Sequence, residues 1–187
     1  MRIIAGTARG TQLFAPRGMD TRPTTDKVKE SLFNMLQGEV EEASVLDLFS
    51  GSGGLGLECL SRGAECAVLV DQSREAIGCI RRNVDKLRFG DRSTVLAMDW
   101  QKAAGQLAAQ GRQFDLVFLD PPYRMDDLRD MCDLLAAKGL LAKEALVVWE
   151  RKSGSDKQLS ARFTLIKQRE YGETEICFYR YSLEEKA

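Results

Sequence analysis

The stretch Val117-Phe118-Leu119-Asp120-Pro121-Pro122-Tyr123 runs from an apolar segment into a carboxylate, two prolines and an aromatic ring. Proline cannot donate to a strand ladder, so a strand ending here stops at the prolines and leaves carbonyls bare. A carboxylate, bare carbonyls and a flat ring together suit a planar group that carries an NH2. Upstream, Asp47-Leu48-Phe49-Ser50-Gly51-Ser52-Gly53-Gly54-Leu55-Gly56 sets Gly51, Gly53 and Gly56 in a G-x-G-x-x-G pattern behind another apolar run. Glycines at a strand-to-helix turn let a ligand approach the backbone closely. Asp71, 20 residues after Gly51, ends the next apolar run, where an acid can accept from ribose hydroxyls. The pattern admits a dinucleotide and other adenosyl ligands alike.

Two features tilt that choice. Asp47 stands just ahead of the glycines, where a carboxylate opposes a pyrophosphate and suits an ammonium group. S-adenosylmethionine has a ribose, an adenine and an α-amino group, and no phosphate. Asp120 with its prolines has no evident use in hydride transfer. Asp99-Trp100 adds an acceptor for an adenine amine and an indole to flank the ring, although a tryptophan taken alone is more often a core residue.

The elements that would position these residues follow from periodicity. Strands are predicted at Ser44–Phe49, Cys66–Asp71, Thr94–Met98, Phe114–Asp120 and Leu146–Glu150, with helices between them at Gly54–Arg62, Ser73–Arg88, Trp100–Gln110 and Asp126–Lys138. This alternation argues for an α/β fold with a parallel sheet and helices on both faces, whose ligands bind at the carboxyl ends of the strands. Phe163–Gln168 and Glu175–Tyr181 break it, joined through Tyr171-Gly172-Glu173 with no room for a helix, and are expected to pair antiparallel. At the front, residues 1–16 read as a short β-hairpin or paired extended segments around Gly6 to Gly10. Thr24 to Gln37 reads as a helix with Val28, Leu32, Met35 and Leu36 on one face, capped by Thr25 or Asp26 and stopped by Gly38. Residues 1–37 are therefore expected to be a basic hairpin-and-helix extension, and 38–187 the ligand-binding domain.

The totals exclude several classes. The chain has 187 residues, 44% hydrophobic and 29% charged, with a formal net charge of −1. The first 25 residues are nonetheless basic, with Arg2, Arg9, Arg17 and Arg22 against Asp20 alone, and such an arm can face phosphates. There is no His, which removes His-based acid–base chemistry, and none of the five Cys has C-x-x-C spacing, so no zinc site is expected. No apolar run approaches membrane-spanning length, so the default expectations are a cytoplasmic location, no membrane partner and a monomer.

Asp47 to Gly56 and Asp120-Pro121-Pro122-Tyr123 resemble motifs I and IV of the class I AdoMet-dependent amino-methyltransferases. Arg2-Ile3-Ile4-Ala5-Gly6, Arg9-Gly10 and the run from Arg22-Pro23-Thr24-Thr25 to Ser31-Leu32-Phe33-Asn34 narrow this. They resemble the RsmD family, the bacterial 16S rRNA guanine-N2 methyltransferases, as do Leu60-Ser61-Arg62-Gly63-Ala64 and Tyr171-Gly172-Glu173-Thr174. The resemblance implies a Rossmann-like fold with a mostly parallel seven-stranded sheet and an antiparallel C-terminal hairpin. It implies methyl transfer from S-adenosylmethionine, without a metal, to 16S rRNA in the small ribosomal subunit or its assembly intermediate. Asp120, Pro121, Pro122 and Tyr123 would then be catalytic. Thr24, Asp47, Phe49, Gly51, Gly53, Asp71, Gln72, Asp99, Trp100 and Asp120 would hold the cofactor, and Arg2, Arg9, Arg22, Lys27, Lys29 and Arg124 would meet RNA. Lys27 and Lys29 stand where the family usually has Arg, which keeps charge but loses bidentate phosphate geometry. Asp-Pro-Pro-Tyr is shared with adenine-N6 and cytosine-N4 enzymes, so those remain alternatives, as do an NAD-dependent oxidoreductase and an inactive RNA-binding scaffold.

Overall fold

Strand and helix alternate as periodicity predicts, because the central strands are apolar on both faces and must be covered twice. The computed structural model describes residues 1–16, 23–121, 128–153 and 159–183. Its elements are α1 (Pro23–Met35), β1 (Ser44–Asp47), α2 (Gly54–Ser61), β2 (Cys66–Asp71), α3 (Arg74–Leu87), β3 (Ser93–Ala97), α4 (Trp100–Ala109), β4 (Phe114–Leu119), α5 (Leu128–Ala137), β5 (Leu141–Lys152), β6 (Phe163–Tyr171) and β7 (Thr174–Tyr181). They build one seven-stranded sheet in the order β3-β2-β1-β4-β5-β7-β6. Strands β1 to β5 run parallel, while β7 is antiparallel to both β5 and β6.

Alternate residues of each strand serve opposite faces. Leu46, Val68, Val70, Val117, Leu119 and Val147 pack with Trp100, Ala103 and Leu107 of α4 and Met131 and Leu135 of α5. Val45, Ala67, Leu69, Leu116, Phe118 and Val148 pack with α1, α2 and α3 through Leu32, Phe33, Leu36, Leu57, Leu60, Ile77 and Ile80. The polar exception inside β4, Asp115, is exposed, and its carboxylate accepts from Ser44 N at 2.9 Å, fixing where β1 begins.

Several boundaries differ from expectation, among them the starts of α1 and β5. α1 begins at Pro23, a residue suited to the first helical position, and Asp26 pairs with Arg2 at 3.2 Å. β5 starts at Leu141, five residues early, because Leu141 pairs with Phe114 before an irregularity at Glu144 (φ 62); regular pairing begins at Leu146. Residues 1–16 are paired extended segments joined by one bridge, Arg2 to Gln12, rather than by a ladder. Their remaining donors turn elsewhere. Ile4 N and Ala5 N reach the Glu58 carboxylate on α2 at 2.8 and 3.0 Å. Phe14 N and O reach Asn83 on α3 at 2.7 and 2.8 Å. Ile3 and Leu13 enter the same core as α1, α2 and α3.

Glu58 is fully buried and also binds Lys29 at 3.1 Å and Arg62 at 2.8 Å. Removing one partner of a buried ion pair strands the other, which costs ~3–5 kcal/mol. Glu58→Ala is therefore expected to lower the urea midpoint by that equivalent, whereas Lys27→Ala, at an exposed position, should shift it by less than ~0.5 kcal/mol. Matched midpoints for the two variants would contradict the anchoring role of Glu58.

Candidate active site

Each of the five parallel strands carries an acid at or just beyond its carboxyl end: Asp99 after β3, Asp71 on β2, Asp47 on β1, Asp120 after β4 and Glu150 near the end of β5. Sheet order makes them neighbours along one edge. A cavity of about 510 Å³ opens there, lined by Phe49, Gly51, Asp71, Gln72, Met98, Asp99, Trp100, Asp120 and Glu150 among others. A smaller one, about 150 Å³, adjoins it; Phe49, Gly51, Asp120 and Glu150 line both, and Asp47, Met1, Lys29 and Leu32 line only the smaller.

Three acids are held by backbone donors. Asp71 accepts from Gly51 N at 2.9 Å and from Ser73 N, at the start of α3, at 2.8 Å. Asp99 caps α4 through Gln101 N at 2.8 Å and Lys102 N at 3.4 Å. Asp47 accepts from Gly56 N, in the first turn of α2, at 3.3 Å. Helix N-termini carry partial positive charge and suit these carboxylates. Asp120 and Glu150 receive no hydrogen bond from the described residues. Each carboxylate has about four acceptor positions, so Asp71 and Asp99 can still receive a ligand's donors.

The glycine loop fits this arrangement closely. Gly53 sits at φ 80 at the start of α2. A Cβ on Gly56 would stand 2.3 Å from Leu69 Cδ2, so only glycine brings α2 this near to β2. Ser50 pins the loop, its hydroxyl donating to Asp47 O at 2.7 Å and accepting from Val70 N at 3.0 Å. Asn83 holds the loop from α3 by donating to Ser52 O at 2.9 Å.

Burial pushes the Asp47 carboxyl up to about 7, against the lowering contacts of Gly56 and Ser50, with the charge of Asp71 adding to the rise. Asp120 also lies above the ordinary carboxylate range, first through the protein crowded around it and then through the charges of Glu150 and Asp47. Its side chain keeps exposed surface, so that crowding is the wall of a cleft rather than enclosure. Burial raises Glu150.

The sequence-predicted residues divide as follows. Asp47, Phe49, Gly51, Asp71, Gln72, Asp99, Trp100 and Asp120 converge on the two cavities, with Gly53 in the loop beside them. Trp100 belongs to the core cluster as well as to the cavity wall. Pro121 follows β4 and is buried. Arg2, Arg9 and Lys27 are exposed on the arm and α1. Lys29 differs from the exposed contact expected of it: only 4% exposed, it holds Glu58 and donates to Arg2 O, so its charge is met inside the protein. Burial lowers its ammonium pKa, and Glu58 opposes that shift. Thr24 lies in the first turn of α1 with its side chain undescribed, and Pro122, Tyr123, Arg22 and Arg124 lie outside the described residues. The sequence reading missed Ser50, Glu58, Asn83 and Glu150. Glu150 had a signal, since Ala145-Leu-Val-Val-Trp-Glu150 ends in an acid just as the other strands do. Among the described residues no helix is long and apolar enough to cross a membrane, and no three His, Cys, Asp or Glu are grouped as a metal ion would need.

Residues 1–180 match the family described as "Conserved hypothetical protein 95". The chain belongs to this family, the RsmD family. "Ribosomal RNA small subunit methyltransferase D" of Escherichia coli (strain K12) is 41% identical over 150 residues, 80% of this chain and 74% of the relative. The Haemophilus influenzae protein of that name is 31% identical over 180 residues, 96% and 92% of the two chains. The solved Escherichia coli protein yhhF superposes with a TM-score of 0.85 at 35% identity, across 98% of this chain and 99% of that one. SMU.776, solved in complex with SAH, superposes with a TM-score of 0.69 at 12% identity, over 86% of this chain and 50% of that one, which shows a shared fold alone. The RsmD-family sheet, with its antiparallel C-terminal strands, is the Rossmann-like methyltransferase architecture.

In this family member the raised Asp47 carboxyl sets a pH dependence. The folded protein keeps its proton up to about pH 7, while the unfolded chain releases it near ~3.9. The folded state therefore binds more protons across that window, and stability falls as pH rises through it. Asp47→Asn keeps an acceptor for Gly56 and carries no charge. Its Tm relative to wild type is expected to be higher at pH 8 than at pH 5; the same difference at both values would show that Asp47 does not titrate in this range.

Proposed function

We propose that the protein transfers a methyl group from S-adenosylmethionine to the exocyclic N2 amine of a guanine in 16S rRNA of the small ribosomal subunit. The observation that carries this reading is the carboxylate edge, with Asp120 facing a cavity and receiving no hydrogen bond from the described residues. Family membership supports the RNA class, because the Escherichia coli and Haemophilus influenzae relatives are named for small-subunit ribosomal RNA.

The donor set fits S-adenosylmethionine. The larger cavity is lined by Asp71, Asp99, Asp120 and Glu150, with no Lys or Arg among its described lining. A pyrophosphate would face like charge there, whereas ribose hydroxyls, an adenine amine and an ammonium group all donate to carboxylates. Asp71 is placed for the ribose, Asp99 and Trp100 for the adenine, and Asp47 for the ammonium. When bound, the cofactor supplies a methyl already activated on a sulfonium.

The chain's own residues then position the nucleophile. Asp120 and the Pro121 carbonyl accept the two N–H groups of the amine, which favours a tetrahedral nitrogen and aims its lone pair. Tyr123, which lies outside the described residues, has by family resemblance the role of stacking on the base. The nitrogen lone pair would take the methyl from S-adenosylmethionine held by Asp47, Asp71 and Asp99, whose sulfur keeps the S–C electron pair, and the amine proton would leave to Asp120 or water. Orientation and electrostatics supply most of the acceleration. The base must be flipped out or in a loop to reach the cleft. Residues 1–37 form the RNA-facing side, with Arg2, Arg9 and Lys27 as phosphate contacts.

Asp120→Ala is expected to reduce methyl transfer to small subunits by ~10²-fold or more while S-adenosylhomocysteine still binds; unchanged turnover would remove Asp120 from the chemistry. In the wild type, kcat/KM should rise with pH through a midpoint above the ordinary carboxylate range, because the ionised acid is the stronger acceptor and can take up the amine proton. Asp120→Asn should lack that limb. Separately, Ala at Arg2, Arg9 and Lys27 together should reduce the salt slope of RNA binding by up to ~3, about one for each phosphate no longer neutralised. A slope equal to wild type would place the RNA elsewhere.

A further inference from the structure

We infer that Glu150 reads the target base, accepting from guanine N1–H while Asp120 holds the adjacent N2 amine, and that this pairing selects guanine over adenine and cytosine. The inference rests on the N2 reading above and names what makes that site specific.

The placement comes from the sheet. β4 and β5 pair in parallel with Leu119 opposite Trp149, so the next residues along, Asp120 and Glu150, stand side by side. Both line the larger and the smaller cavity. Among the described residues, no cation of the flanking strands is paired with Glu150. Its partner on β7 is Ile176, and Arg151, the next residue on its own strand, pairs with Glu175 at 2.6 Å. No described residue donates a hydrogen bond to the Glu150 carboxylate. Burial raises its carboxyl, and its charge in turn raises Asp120, so the pair gains from a ligand that brings two donors at once.

The chemistry of the bases then decides. Guanine presents N1–H and the N2 amine next to each other, two donor groups on one edge. Adenine presents its N6 amine beside an unprotonated N1, and cytosine its N4 amine beside an unprotonated N3. In either of those, a ring lone pair would face the Glu150 oxygen. A site built to receive an N–H penalises an analogue lacking it, because a buried polar group is left unpaired. Asp120 alone treats all three amines alike; Asp120 with Glu150 does not.

The test uses the full-length protein and small subunits carrying either guanine or 2-aminopurine at the methylated position. 2-Aminopurine keeps the 2-amine and has a bare N1. The wild type is expected to prefer guanine by ~10²-fold or more in kcat/KM. Glu150→Gln, whose amide can turn an N–H toward N1, is expected to cut that preference at least 10-fold by losing on guanine and gaining on 2-aminopurine. A merely structural role would lower both substrates together and leave the ratio unchanged. The fluorescence of 2-aminopurine gives a second readout free of turnover. With S-adenosylhomocysteine present, RNA containing it should bind Glu150→Gln more tightly than wild type. Equal wild-type rates on the two substrates would overturn the inference without recourse to any variant. So would a preference unaltered within threefold in Glu150→Gln, and in both cases the assignment to guanine N2 would stand. No transfer to guanine by the wild type would overturn that assignment and this inference together.

Discussion

Like charges gathered along one edge of a sheet repel, and this fold depends on how that repulsion is met. Asp99, Asp71, Asp47, Asp120 and Glu150 stand at the ends of adjacent parallel strands. The first three are answered by N–H groups of the glycine loop and of residues at or next to the starts of α4, α3 and α2. Parallel topology makes this arrangement available, because every crossover brings a helix N-terminus to the edge where the strands end. The last two acids lie where β4 meets β5, and the following residues of β4 are prolines, which have no N–H to offer. The fold thus satisfies its own carboxylates on one side and leaves a pair open on the other. The cofactor and substrate sides proposed here fall along that division.

A second buried acid joins the arm to this edge. Glu58 receives the backbone of Ile4 and Ala5 and the cation of Lys29. Asn83 receives Phe14 and grips Ser52 in the glycine loop. Tyr171, at the tip of the C-terminal hairpin, shares a hydrogen bond with Ser31 of α1 at 2.6 Å. The arm, the glycine loop, α1 and the hairpin tip are therefore packed as neighbours, and a basic arm carrying Arg2 and Arg9 is presented from fixed backbone. Lys29 shows the cost of reading charge as exposure: its positive charge balances Glu58 inside the protein.

Much of this was legible in the sequence. Apolar runs closing near Asp47, Asp71 and Asp120 marked three of the strands and the binding edge, since strand periodicity and proline chemistry are local properties. Gly51, Gly53 and Gly56 were legible for the same reason. What the sequence left hidden depends on partners distant along the chain. Glu58 lies in an apolar helix and reads as an anomaly until Lys29 and the arm are beside it. Asn83 looks like a surface residue of an amphipathic helix until Phe14 and Ser52 meet it. The early start of β5 depends on an irregularity opposite Phe114. Glu150 was visible as a strand end, but its meaning required knowing that β5 lies beside β4.

The role proposed for this edge is to aim an RNA guanine amine at an activated methyl. It is tested most directly by incubating the protein with methyl-labelled S-adenosylmethionine and small ribosomal subunits lacking the modification, then digesting the RNA to nucleosides. The label is expected in N2-methylguanosine at a single position of 16S rRNA. Label in N6-methyladenosine or N4-methylcytidine, or no incorporation at all, would contradict it.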